Sequence, residues 1–197
     1  MRHLFIYLIA VLFKFKNYTA INILINKSCF QDGYDKNIIN SNYYFYSNNY
    51  NSISSSKCKL DDKVYYSGMA QLWIENIYEP KINKDEFTMA DLLIYNLSIL
   101  LLDEQRWYWF PITYVYASNP NFNHSLRGFS IKLKSKYELE KIQKLFSTSS
   151  VEKIKLLFES MKLYMENNKD RVRYLKSFDT AEIITDFIKV DEIGSVK

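Results

Sequence analysis

Glycine and proline are scarce in this chain, at 4 and 3 of 197 residues, and Cys29, Cys58, His3 and His124 are its only thiols and imidazoles. Phosphate-cradling loops need several glycines so that backbone N–H groups can approach the anion, and neither G-x-G-x-x-G nor G-x-x-x-x-G-K occurs. Nucleotide binding by those two devices is excluded. Two cysteines outside a C-x-x-C arrangement and two histidines make no recognisable zinc motif, so neither a metal nor a cofactor is expected. A Cys29–Cys58 disulfide would form only in an exported chain, whereas in a reducing cytosol both remain thiols.

What is present is a globular composition, 48% hydrophobic and 24% charged, with an excess of tyrosine at 17 residues. Its size suits one domain. The organisation reads as an apolar N-terminal segment over 1–30, an Asn/Ser/Tyr-rich loop region over 31–66, and a main domain over 67–197 whose ordered heart runs from Ser67 to Val190. Small polar residues such as those at 47–56 bury too little apolar surface to offset the ordering of the chain.

Arg2 and His3 precede the unbroken apolar run Leu4–Phe13, which has the shape of a signal-peptide core but lacks a small-residue cleavage site after it. Ten residues are too few to span a bilayer, which takes roughly 20 as a helix, so no transmembrane span is expected. The run reads as a buried strand or short core helix, and Ala20–Ile25 alternates as a half-buried strand does. A cytoplasmic location follows, with export as the alternative if Leu4–Phe13 is a signal core.

Farther along, Ser67–Glu79 carries a helical stripe ended by Pro80. Thr88 and Asp91 have capping-box spacing before a helix that is apolar on nearly every face, expected over Ala90–Leu102 and buried at the centre. Arg106–Ala117 is aromatic and β-branched, and Arg127–Lys134 alternates Phe129, Ile131 and Leu133 with Ser130, Lys132 and Lys134. An Arg106–Lys134 hairpin is therefore expected. Capping boxes at Ser135–Glu138 and Ser149–Glu152 open two further helices, and Asp179–Val190 reads as a last helix. The class expected is α+β, a small antiparallel sheet packed against several helices.

Functional signals are sparse. His124, in a loop after Asn119-Pro120-Asn121, is the sole candidate acid or base, and no nucleophile is positioned beside it. Charge is more informative: residues 127–176 hold 13 Lys or Arg against 6 Asp or Glu, a net of +7 in a chain of net +4. Candidate nucleic-acid contacts are Arg127, Lys132, Lys134, Lys136, Arg171 and Arg173, with Trp107 and Trp109 as stacking surfaces. The same lysines also suit the solvated faces of ordinary amphipathic helices. The composition points first to a non-catalytic interaction module in a larger protein assembly, through a protein partner or self-association. Nucleic-acid binding and an enzyme built around His124 are the alternatives.

Overall fold

The computed structural model describes residues 2–26, 29–30, 38–39, 58–60, 63–65, 73–75, 81–101, 109, 111, 113, 125–167 and 183–197. Helix α1 (Arg2–Lys14) takes up the apolar run and buries Phe5, Ile6, Ile9 and Ala10. It ends in a tight turn in which the Lys16 N–H donates to Phe13 O and the Asn17 N–H to Leu12 O, with Lys16 at φ 57°. That pair of bonds is a Schellman closure, satisfying carbonyls that the helix end would otherwise orphan. Asn17 then caps α2 (Tyr18–Asn26) by accepting from the Ala20 N–H at 3.2 Å.

The strand expected at Ala20–Ile25 is thus a helix. Tyr18, Ile21 and Ile25 are buried at i, i+3 and i+7, and Ile23 faces solvent. A side-chain cap three residues upstream tipped a sequence that also fits a period of two.

Helix α3 (Lys84–Leu100) is the centre of the molecule, with every residue from Phe87 to Leu100 buried. Its start lies a turn before Thr88, at the N-cap Asn83, which forms a full capping box with Glu86. Thr88 and Asp91 are therefore interior positions. Lys14 reaches across to the Lys81 carbonyl and to Glu86, tying the end of α1 to the start of α3.

The expected α+β class with an antiparallel sheet is overturned. Arg127–Lys134 lies within helix α4 (Ser125–Lys134), which buries Leu126, Phe129, Ser130 and Leu133. Spacing of i, i+3, i+4 and i+7 is a helical stripe, and the Ser130 hydroxyl is satisfied inside it by donating to Leu126 O at 2.8 Å. Extended pairing among the described residues is limited to β1 (Cys29–Phe30) with β2 (Ile38–Ile39), β3 (Cys58–Leu60) with β4 (Lys63–Tyr65), and one isolated bridge between Ser135 and Val196. Of Arg106–Ala117 only residues 109, 111 and 113 are described, so most of the proposed partner strand lies outside them.

Helix α5 (Lys136–Ile142) is capped by Ser135, which accepts from the Glu138 N–H, and runs into a 3₁₀ turn at Gln143–Phe146. Helix α6 (Val151–Asn167) starts one residue later than the Ser149 spacing implied, since Ser150 accepts from the Lys153 N–H at 3.3 Å. In place of a last helix over Asp179–Val190, the described part holds 3₁₀ turns at Ile184–Asp186 and Val190–Glu192. Of Ser67–Glu79, residues 73–75 are helical and the rest lies outside the described residues.

Packing joins these parts into one core. Helix α3 contacts α1, α4 and α6, and α2 lies on α1 and the Gln143–Phe146 turn. Phe5, Ile6 and Ile21 from the N-terminal segment share a buried cluster with Ile94, Phe129, Ile142 and Phe158. Beyond Ile193, Gly194 and Val196 donate backbone N–H groups to Leu133 O and Lys134 O, and Lys136 donates to Val196 O. This clasp, which includes a parallel bridge between Ser135 and Val196, fills the hydrogen-bonding gaps at the α4–α5 corner.

Candidate functional site

Two polar constellations stand out. The first is buried: Asp91, on α3, is fully enclosed and accepts from Trp109 Nε1 at 2.6 Å and from the Thr113 N–H and hydroxyl at 2.9 Å. The Arg2 guanidinium lies 3.9 Å from the same carboxylate and 3.9 Å from the centre of the Trp109 ring. Burial pushes the Asp91 carboxyl above its ordinary value, while Arg2 and the hydrogen bonds pull it back down. Through these contacts the node cross-links α1, α3, Trp109 and Thr113.

The second constellation is at the surface where the α1–α2 turn meets α4 and α5. The left-handed turn fixes the backbone of Lys16, α4 presents Arg127, Ile131 and Lys132 on its exposed face, and Lys141 and Lys144 follow on α5 and the 3₁₀ turn. Asn22 holds the two layers together by donating to Leu145 O and Ser147 Oγ, both at 2.7 Å. Glu138 sits among these cations: its carboxyl is held below the usual range by the hydrogen bond from Lys141 and then by the charges of Lys141, Lys16 and Lys132. Lys141 also lies 3.6 Å from the centre of the Tyr137 ring.

Two open cavities adjoin here, sharing Lys16 and Tyr18. One of about 360 Å³ is lined by Lys14, Lys132, Asp85 and Glu86 among others. The other, of about 450 Å³, is lined by Lys16, Asn17, Tyr18, Thr19, Tyr137, Glu140, Lys141 and Lys144.

Of the candidates expected from the sequence, Arg127 and Lys132 are exposed on α4, and Lys136 is exposed at the start of α5. Lys134 is turned aside into a 2.9 Å ion pair with Glu192. Trp109 is completely buried under Arg2, so its ring is a core element and no stacking surface. Trp107, His124, Arg171 and Arg173 lie outside the described residues. Lys16 and Tyr18 were missed; the signal for them was Lys14-Phe15-Lys16-Asn17, a cationic helix end followed at once by an N-cap residue.

Among the described residues no group of three or more His, Cys, Asp or Glu is arranged to hold a metal ion, and no helix is long and apolar enough to cross a membrane. The fold and these two sites define a helical chain with a basic surface at one helix–turn–helix corner. Comparison with protein-family models, curated proteins and solved structures finds no match.

Proposed function

We propose that the chain is a non-catalytic interaction module, one component of a larger protein assembly, that docks the outer face of α1 into an apolar groove of a protein partner. The observation behind this reading is the stripe Leu4, Leu8, Leu12 and Phe15. Leu4, Leu8 and Phe15 are 68%, 41% and 76% exposed, and no Asp, Glu, Lys or Arg falls between Arg2 and Lys14. Positions i, i+4, i+8 and i+11 form a ridge about 16 Å long, the pattern by which helices anchor in hydrophobic grooves. The opposite face of the same helix is core, so the stripe is presented on a rigid support. That packing also favours a cytoplasmic chain over an exported one in which Leu4–Phe13 is cleaved, because loss of α1 would uncover α3.

The test is a Leu8→Glu/Phe15→Glu double variant, both exposed positions where substitutions cost little stability. The wild-type chain should sediment as a complex with its stoichiometric partner, or above monomer mass alone, and the variant should sediment as a folded monomer. A wild-type monomer, or a variant that associates as the wild type does, would end this reading.

Nucleic-acid binding is a second reading, favoured by the exposure of Arg127, Lys132 and Lys136 on neighbouring helices. Its affinity would fall steeply with salt and be lost on reversing these residues to Glu.

A further inference from the structure

We infer that the corner where the α1–α2 turn meets α4 and α5 docks on an anionic lipid bilayer, three exposed apolar side chains entering the headgroup layer and the cations around them meeting the lipid charges. The inference does not rest on the protein-partner reading, because two of the three side chains lie outside the α1 stripe.

It is carried by one pattern repeated on three elements. Phe15, 76% exposed, stands between Lys14 and Lys16 just beyond the end of α1. Ile131, 61% exposed, stands on the outer face of α4 beside Lys132 and one turn after Arg127. Tyr137, 66% exposed, follows Lys136 in the first turn of α5, and the Lys141 ammonium lies 3.6 Å from the centre of its ring. Each of the three therefore has cations on both sides.

They belong to one surface. Lys16 lines one cavity with Tyr137 and Lys141 and another with Lys132. The charges of Lys16 and Lys132 both reach the Glu138 carboxyl on α5. The support is rigid, since Phe13 packs its ring on Phe129 at 5.7 Å and on Tyr18 at 5.6 Å, fixing the end of α1 against α4 and the start of α2.

The charge of this surface selects the partner. Lys14 and Lys141 are held by Glu86 and Glu138. Lys16, Arg127, Lys132 and Lys136 form no ion pair among the described residues, with exposed Glu140 set against them, so the corner is cationic on balance. An anionic bilayer supplies both complements, a negative potential for the cations and an interfacial layer that takes Phe, Tyr and Ile side chains. A nucleic-acid backbone would match the cations but set Phe15 and Ile131 against phosphates. Apolar tips carried by three separate elements also suit a broad surface, whereas a groove in a protein receives one helical ridge.

Flotation of the full chain with vesicles tests this, using phosphatidylcholine alone and equal parts phosphatidylcholine and phosphatidylserine. Binding is expected on the mixed vesicles and not on phosphatidylcholine. A lysine at an anionic surface is worth roughly fivefold in binding, so Lys16→Gln/Lys132→Gln should weaken it at least about tenfold. Ile131→Ser/Tyr137→Ser, at exposed positions where the melting temperature should hold, should weaken binding several-fold and release the vesicles at lower salt. Both variants keep the α1 stripe, so association through it should persist in them, and the two readings fail separately. The proposal is overturned if the mixed vesicles are not bound, if phosphatidylcholine is bound equally, if both variants bind as the wild type does, or if oligonucleotides bind at a salt concentration at which the vesicles do not.

Discussion

Arg2 and Asp91 face each other at 3.9 Å with side chains 4% and 0% exposed, a charge pair closed inside the protein between the first turn of α1 and the middle of α3. Asp91→Ala removes the acceptor for Trp109 and Thr113 and strands a guanidinium in the core. Breaking a buried pair in this way costs about 3–5 kcal/mol. Urea denaturation should show that loss, and Asp91→Asn, which keeps an acceptor, should lose less.

Thr88, three residues earlier, makes the opposite case. It is 2% exposed and its hydroxyl has no hydrogen-bond partner among the described residues. Thr88→Val keeps the shape and removes the stranded polar atom, so stability should be unchanged or rise by up to about 1 kcal/mol. A clear fall in melting temperature would mean that the hydroxyl is satisfied after all.

At Gly194 the backbone has φ +66°, and an added Cβ would lie 3.1 Å from Leu139 Cδ2. Both left-handed strain and crowding oppose a side chain there. Gly194→Ala should cost about 1–2 kcal/mol, read as a lower denaturation midpoint with an unchanged slope.

Acid should weaken the fold through His3. Its ring lies 5.1 Å from that of Phe87 and 5.5 Å from that of Trp73, and burial chiefly lowers its pKa from 6.5. As pH falls below 6.5 the unfolded chain takes up this proton before the folded one does, so the contribution is intact above that pH and is lost below it. Asp91, with its pKa raised, works with the opposite sign. The measure is therefore the difference between wild type and His3→Phe from pH 8 to about 5, the window in which His titrates. It should grow in favour of the variant on the acid side; a difference independent of pH would refute the assignment.

Local signals were the legible ones. Ser135 and Glu138 stand three apart and the cap forms where the spacing places it, because a capping bond depends only on neighbours. Period was not decisive by itself. At Arg127–Lys134 the apolar residues fit both a strand and a helix, and the deciding positions were Leu126, just outside the alternation, and Ser130, a polar residue that a helix can bury against its own carbonyl. The β-branched Ile21, Ile23 and Ile25 misled for the same reason. Asp91 was illegible as a core charge because its partners Trp109 and Arg2 are 18 and 89 residues away. At the α1–α2 turn the cue was the cationic helix end directly before the Asn17 cap, while the positive φ of Lys16, a non-glycine residue, gave no sign of itself in the sequence.

The clasp at the α4–α5 corner ties residues 133–136 to 194–196. During synthesis α4 and α5 leave the ribosome long before their closing partners, and their open backbone groups stay hydrated until then. Closing this corner joins residues about 60 apart in sequence, the kind of long-range closure that slows folding.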